Sequence, residues 1–288
     1  MKRYPFYLSV DLEDFTFNML RSIGVEPRVN GEALILSYQL INRFSEQKLD
    51  SRKITFFTTG TVAETMPDLL RQIIYDGHEV GCHYHYHDLM FRQTNLEINH
   101  YLELAKNTIF KATGVEPIGF RAPSFSISRE RRDIFYEIER HFKYDSSYVL
   151  NLGKITKEQY FEEKPFTLEK LIEVPIVPKM FFSKRIRIKS GGTFLRFFSK
   201  EMIKEVMLYN ANLGFVPLVY IHPYDYLQDR EFWVPVSDFL GSRNPGNLVR
   251  YLRQIQWIGI GNASVFRKLE YILEYFEHQG PMSLLAVE

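Results

Sequence analysis

The chain has 288 residues, 45% of them hydrophobic and 25% charged, which is the balance of a folded globular protein and excludes a disordered one. Its 36 Lys and Arg residues against 35 Asp and Glu residues leave a net charge of +1, so we expect no nucleic-acid partner. The length is near the upper limit for one hydrophobic core, and we predict a single domain over residues 1–288.

Two features bear on location. The single cysteine, Cys82, cannot form an internal disulfide, and the N-terminal sequence becomes polar too early for a secretory signal. No segment approaches the roughly 20 apolar residues that a membrane-spanning helix needs. We therefore expect a cytoplasmic protein without a transmembrane segment.

Short apolar runs alternate with segments of helical periodicity through the first half of the chain. This alternation implies parallel strands joined by helices, as in a (β/α) barrel. The predicted strands lie at 4–10, 54–58, 79–82 and 118–121, and the predicted helices at 32–46, 62–75, 96–113 and 129–141.

The second half of the chain is less regular. Residues 151–202 interrupt the alternation of strands and helices. We interpret them as a long insertion near the functional site, with a flexible hinge at Gly191 and Gly192. Basic and aromatic residues are mixed at 181–189, where both a solvated hairpin and contact with phosphate or a membrane remain open. An apolar strand follows at 218–221, and closing helices are predicted at 248–256 and 265–277.

Three carboxylates, Asp11, Glu13 and Asp14, lie at the end of the first apolar strand. Charge at such a position is costly unless something compensates for it, and a cation is the natural compensation. An acidic turn that caps the next helix explains the cluster equally well.

The segment GHEVGCHYHYHD carries three alternating histidines after the strand at 79–82. His83 and His87 have i, i+4 spacing, which on one helical turn would direct both imidazoles to one point. His85 would face away from them, and we expect His85 and His78 to be structural. The pattern predicts a metal site.

Five motifs in chain order resemble those of the polysaccharide deacetylase family, also called carbohydrate esterase family four: VDLED, GHEVGCHYHYH, FRAPSFS, KYDSS and LVYIHP. The resemblance extends from about residue 6 to residue 223. The segments SGGTFLR, EVPIVP and WIGIGNAS look like the branch associated with bacterial exopolysaccharide and surface-glycan loci. The resemblance implies a distorted (β/α)7 barrel.

The resemblance also implies roles for the first two motifs. Asp11 corresponds to the general base, and His83 and His87 to the imidazole ligands of one divalent metal ion. The family's common Asp-Asp pair is absent here, because Leu follows Asp11. Glu13 would then be the carboxylate ligand, since alternate residues on a strand share a face, and Asp14 is the alternative if the strand ends earlier.

The later motifs imply three more roles. Arg121 resembles the arginine that orients the base, and an adjacent cation would keep Asp11 ionised. His222, at the C-terminal end of a strand, resembles the general acid that protonates the leaving amine. Asp145 resembles the acid that holds this histidine protonated.

Mixed histidine and carboxylate ligands suit Zn²⁺, with Co²⁺, Mn²⁺ or Fe²⁺ as alternatives. We therefore predict a metal-dependent hydrolase of linear amide C–N bonds that removes an N-acyl group, most simply N-acetyl, from an amino sugar. The sugar would be nucleotide-linked, lipid-linked or part of an oligosaccharide, and peripheral membrane contact remains an option.

Two rival functions stay open. One is a related deformylase or amidase that acts on another small C–N substrate, because fold and metal site do not fix the acyl group. The other is a glycan-binding relative without turnover. A binding module needs neither Asp11 nor His222, so the presence of both favours an enzyme.

Overall fold

The computed structural model describes residues 3–128, 130–150, 170–183, 186–227, 230–240 and 246–286. In this part of the chain, a curled eight-stranded sheet with only parallel pairings forms the centre, and a small antiparallel hairpin lies apart from it. The strands are β1 (Tyr4–Leu12), β2 (Thr55–Thr58), β3 (Glu79–Cys82), β4 (Gly119–Phe120), β5 (Tyr144–Asp145), β6 (Ile172–Glu173), β7 (Lys179–Phe181), β8 (Ile186–Ile188), β9 (Leu218–Ile221) and β10 (Phe276–His278).

Helices surround the sheet. Several begin with a side-chain cap, and the longest has a complete capping box at its start and left-handed Gly114 at its end. The described helices are α1 (Phe15–Ser22), α2 (Gly31–Lys48), α3 (Gly60–Thr65), α4 (Pro67–Tyr75), α5 (Asn95–Thr113), α6 (Ile134–Glu139), α7 (Gly192–Phe197), α8 (Lys200–Asn212), α9 (Pro223–Tyr226), α10 (Val236–Leu240), α11 (Gly246–Gly259) and α12 (Val265–Leu273). None of them is long and apolar enough to cross a membrane.

Strand β1 organises the sheet because it pairs with three other strands. Its first residues pair with β10, its middle with β9 and its last residues with β2. From β2 the order continues through β3, β4, β5 and β6. The predicted distorted (β/α)7 barrel is thereby confirmed as a curled, open barrel of parallel strands.

Side chains of β1 alternate between two environments, as the pleat requires. Leu8 and Val10 belong to the large core between sheet and helices, whereas Tyr7 belongs to a second cluster with rings such as Phe57. Ser9, two residues after Tyr7, is buried on this second side. The barrel interior therefore holds aromatic rings together with polar side chains.

Several predicted boundaries differ from the observed ones. The helix expected at 62–75 is two helices, because Pro67 lacks an amide hydrogen and disfavours helical geometry at Met66. The helix expected at 129–141 shortens to α6. The helix expected at 265–277 ends at Leu273, and the chain then forms β10, which pairs with β1.

The predicted insertion lies partly outside the described residues, which resume at 170. Within its described part, β6 pairs with β5 and so belongs to the barrel. Strands β7 and β8 pair antiparallel at 179–181 and 186–188 and so include part of the basic and aromatic segment. The hinge at Gly191 and Gly192 stays a prediction. A Cβ on Gly191 would lie 2.3 Å from the backbone oxygen of Tyr220, so glycine allows two backbone segments to pack closely.

Candidate active site

The motif residues meet at one rim of the barrel. Leu12, Thr58, Cys82 and Phe120 are successive register partners across β1 to β4, so these strands end level with one another. Parallel strands present their carboxyl ends on the same side, where barrel proteins carry their functional groups. The residues that follow four of the strand ends are Glu13, His83, Arg121 and His222.

Glu13, His83 and His87 bring one ligand atom each to within 4.8 Å of the others. Glu13 and His83 are buried, and the Nε2 atom of His87 lies 2.8 Å from Oε2 of Glu13. Two imidazole nitrogens and one carboxylate oxygen are the donor set of a mononuclear site with open positions. These three residues therefore fit a divalent metal ion, and they are the three that the sequence predicts.

The tautomer of His83 is fixed by the backbone. Its Nδ1 atom lies 2.8 Å from the carbonyl oxygen of Arg121, which can only accept, so Nδ1 carries the hydrogen. Nε2 is then left with a lone pair for a metal ion. Burial lowers the pKa of His83 to about 4, which keeps the ring neutral.

The His83–His87 segment is not the helical turn that its spacing suggests. Tyr84 has a positive φ of 67°, and no helix is assigned there. The carbonyls of Tyr84 and His85 instead accept hydrogen bonds from the amides of Gly60 and Thr61 at the start of α3. The two imidazoles converge because this turn is tied to α3. His85 is buried but lies outside the donor group.

Glu13 and Asp14 have different surroundings. Asp14 caps α1: its Oδ1 accepts from the amide of Phe17 at 2.5 Å, and its Oδ2 accepts from the amide of Asn30 at 2.8 Å. Glu13 accepts instead from the Tyr224 hydroxyl at 2.9 Å and faces the histidines. The geometry thus brings Glu13, not Asp14, to the donor group.

Arg121 lies inside the barrel, completely buried, with its guanidinium carbon 4.3 Å from the centre of the Phe57 ring. One nitrogen, Nη1, donates to Asp11 at 2.6 Å and to Ser9 at 2.7 Å. Burial, the largest single influence, raises the pKa of Asp11, but the charge and hydrogen bond of Arg121 together with nearby histidines such as His222 outweigh it and hold that pKa below its ordinary value. Asp11 is therefore a carboxylate at neutral pH.

His222 lies beside two of the three acidic residues of the first motif. Its Nε2 is 3.8 Å from Oδ2 of Asp11 and 3.7 Å from Oε1 of Glu13. Its Nδ1 is 2.7 Å from Oδ2 of Asp225, which also forms an ion pair with buried Arg196 at 2.7 Å. Burial opposes charge on the ring, yet Asp225 and the two other acids raise the pKa of His222 to about 9.

The prediction that Asp145 holds His222 protonated is wrong. Asp145 is buried elsewhere, where it accepts from the hydroxyl of Ser147 at 2.5 Å, and the Ser147 oxygen accepts from the amide of Ala122 at 2.7 Å. Asp145 thus supports the backbone next to Arg121. Sequence reasoning missed Asp225, whose signal is local: an acid three residues after His222 closes a capping box.

The open parallel barrel is similar to the fold of a solved structure from the polysaccharide deacetylase group of proteins. A structure from Mycobacterium smegmatis assigned to the polysaccharide deacetylases aligns over 99% of this chain and 94% of its own, with a TM-score of 0.52 and 15% identity, which supports the fold. Residues 42–140 match the sequence model described as Polysaccharide deacetylase. This segment of the chain is therefore similar to the polysaccharide deacetylases, and the fold agrees with that similarity.

Two curated relatives are similar over shorter segments. The uncharacterized protein YlxY of Bacillus subtilis is 34% identical over 129 residues, which are 41% of this chain and 40% of that protein. The peptidoglycan deacetylase of Helicobacter pylori is 30% identical over 97 residues, which are 34% of this chain and 32% of that protein. The matches therefore span less than half the length of either relative.

Proposed function

We propose that the protein is a metal-dependent N-deacetylase that acts on an acylated amino sugar of a bacterial surface-glycan pathway. One observation carries the proposal: Asp11 and His222, two groups that can move protons, lie 3.8 Å apart beside the donor group of Glu13, His83 and His87. The similarity to a peptidoglycan deacetylase over part of the chain supports an acetylated sugar. The surface-glycan pathway rests on the resemblance of SGGTFLR and its companion segments.

The first step in this account is water attack on the amide carbonyl. A divalent cation held by Glu13, His83 and His87 would supply Lewis-acid chemistry, since such ions polarise carbonyls and acidify water. Asp11 accepts the proton of the attacking water. Its Oδ1 is occupied by Arg121, so Oδ2 is the oxygen that takes the proton.

The second step is departure of the amine, which leaves poorly unless it is protonated. His222 donates this proton from Nε2, because Nδ1 is engaged by Asp225. Arg196 holds Asp225 in place through an ion pair. The Tyr224 ring stacks on the imidazole of His222, with ring centres 4.8 Å apart, and holds it in place. The imidazole is therefore protonated and correctly oriented before the amine departs.

The location and extent of the protein belong to the same proposal. Its only cysteine, Cys82, is buried and free, which suits a reducing compartment such as the cytoplasm. We also propose that residues 1–288 form one catalytic domain, because the five motifs span β1 to β9 of a single sheet.

The test is a screen for amine release from soluble N-acetylated and N-formylated amino-sugar nucleotides and oligosaccharides. Purified protein with one equivalent of Zn²⁺ should deacetylate at least one acetylated sugar, and the His83→Ala, His87→Ala double variant should not. Release of formate alone would instead support the deformylase. No turnover of any substrate, with metal bound, would contradict an enzyme and favour the glycan-binding relative.

A further inference from the structure

Helix α11 exposes apolar residues on the side that faces away from the protein. Its buried side carries Asn247, Gln254 and Ile258. The Gln254 side chain exchanges two hydrogen bonds with the Val234 backbone, of 2.9 and 3.1 Å. Its outer side carries an apolar stripe with exposed fractions of 42% to 58%, made of Leu248, Val249, Leu252 and Ile255. Surface helices normally bury such residues. Here their exposure shows that no part of the described chain covers the stripe.

The charges on α11 have one sign. Arg250 and Arg253 follow the apolar stripe on one side, and the helix contains no acidic residue. The Arg253 guanidinium lies 5.2 Å from the centre of the Trp257 ring. Exposed leucines beside arginines are typical of a helix that lies flat in the interface of a membrane with anionic lipids.

The helix is also close to the site. Trp257 packs against Phe15 with ring centres 6.0 Å apart, and Phe15 packs against Tyr224 at 5.2 Å. The Tyr224 hydroxyl donates to Glu13. Two aromatic contacts therefore separate α11 from the candidate metal ligands.

From these observations we propose that α11 is a docking surface for an anionic lipid membrane, with the apolar stripe in the acyl region and Arg250 and Arg253 at the headgroups. A second copy of the chain fits less well. In a two-fold interface each patch meets itself, and the arginines of both copies would face each other without an acid on either helix. The proposal goes beyond the hydrolytic function and does not depend on it.

Vesicle co-sedimentation tests the proposal. Wild type should pellet with vesicles of equal parts phosphatidylcholine and phosphatidylglycerol, and much less with phosphatidylcholine alone. The Leu248→Ser, Leu252→Ser double variant should lose at least about tenfold in binding, since burial of even one leucine changes partitioning by that order. Arg253→Gln should lose about fivefold, the scale for one basic residue at an anionic surface.

Leu96 and Phe110 on α5, 81% and 52% exposed, supply the matched control. Their double serine variant should bind vesicles like wild type, and circular dichroism melting of all variants verifies that they fold. Binding of the α11 variant at the wild-type level, or absence of wild-type binding to either vesicle, would overturn the proposal. So would a wild-type dimer in sedimentation velocity that the α11 variant converts to monomer.

Discussion

Glu13 and Asp14 are neighbours in the first motif, but their side chains have different surroundings. Glu13 faces two histidines, whereas both oxygens of Asp14 cap the backbone near α1. Burial raises the pKa of Glu13, but the charge and hydrogen bond of His87 together with the charge of His222 outweigh it and hold that pKa well below its usual range. For Asp14, burial raises the pKa to about 6. Adjacent positions in the sequence thus give one candidate ligand and one helix cap.

We expect Glu13→Ala to lose the bound metal ion and Asp14→Ala to keep it, because only Glu13 belongs to the donor group. Asp14→Ala should instead lower the free energy of unfolding by about 0.5–2 kcal/mol, the usual cost of a lost N-cap. Metal content by elemental analysis and urea denaturation separate the two effects. Metal loss in Asp14→Ala with retention in Glu13→Ala would reverse the assignment.

His222 should set the basic limb of the rate profile. Asp225 raises the pKa of His222, so the ring keeps its proton up to higher pH; Asp225→Asn should therefore move the basic limb to lower pH. Asp11, with its pKa lowered, should set the acidic limb, which this change leaves nearly in place.

His222→Ala is the companion variant. It should keep its metal ion and lose roughly 10²–10⁴-fold in kcat, the scale for a positioned proton donor. Profiles of kcat against pH for holoenzyme and both variants provide the measurement. If His222→Ala hydrolyses the best amide substrate within about threefold of wild type, another group is the acid.

At the scale of elements, the sequence predicts much of the barrel correctly. Strands 79–82 and 218–221 match β3 and β9, because short apolar runs between polar turns leave few alternatives. Strand β10 was missed because the helical period of α12 continues into it, and only pairing with β1 makes it a strand. Local pattern carries no information about that pairing.

Prediction of the candidate active site from the sequence has the same limit. Order along the chain predicts which strand ends meet, and so brings Asp11, Arg121 and His222 together. It does not show which acid faces a given ring. Asp145 follows the family order but points to Ser147, whereas Asp225 lies on the same turn as His222.

Substitution of Gly191 tests whether close packing between the start of α7 and β9 stabilises the fold. Gly191→Ala should lower the free energy of unfolding by about 1–3 kcal/mol, because the new methyl group would overlap the Tyr220 backbone. Gly259→Ala is the control, since the nearest atom to its added carbon is 4.0 Å away. Equal stability of the two variants in urea denaturation would show that the segment relaxes freely.

At the scale of the whole molecule, the proposed docking helix α11 lies near the rim that carries the candidate catalytic groups. The barrel places Asp11 and His222 beside the donor group, and α9, which begins just after His222, packs against α11. A lipid-linked sugar would suit this arrangement, because membrane contact at α11 would bring a substrate headgroup to the rim. Soluble substrate still tests the chemistry separately from the docking.

Amine release by Asp11→Asn tests whether Asp11 is the general base, because this variant keeps the shape of the side chain and removes its charge. With Zn²⁺ bound in the same amount as in wild type, we predict that kcat falls by about 10²-fold or more, since Glu13, the neighbouring carboxylate, is the proposed metal ligand. Wild-type kcat in metal-loaded Asp11→Asn would contradict the account.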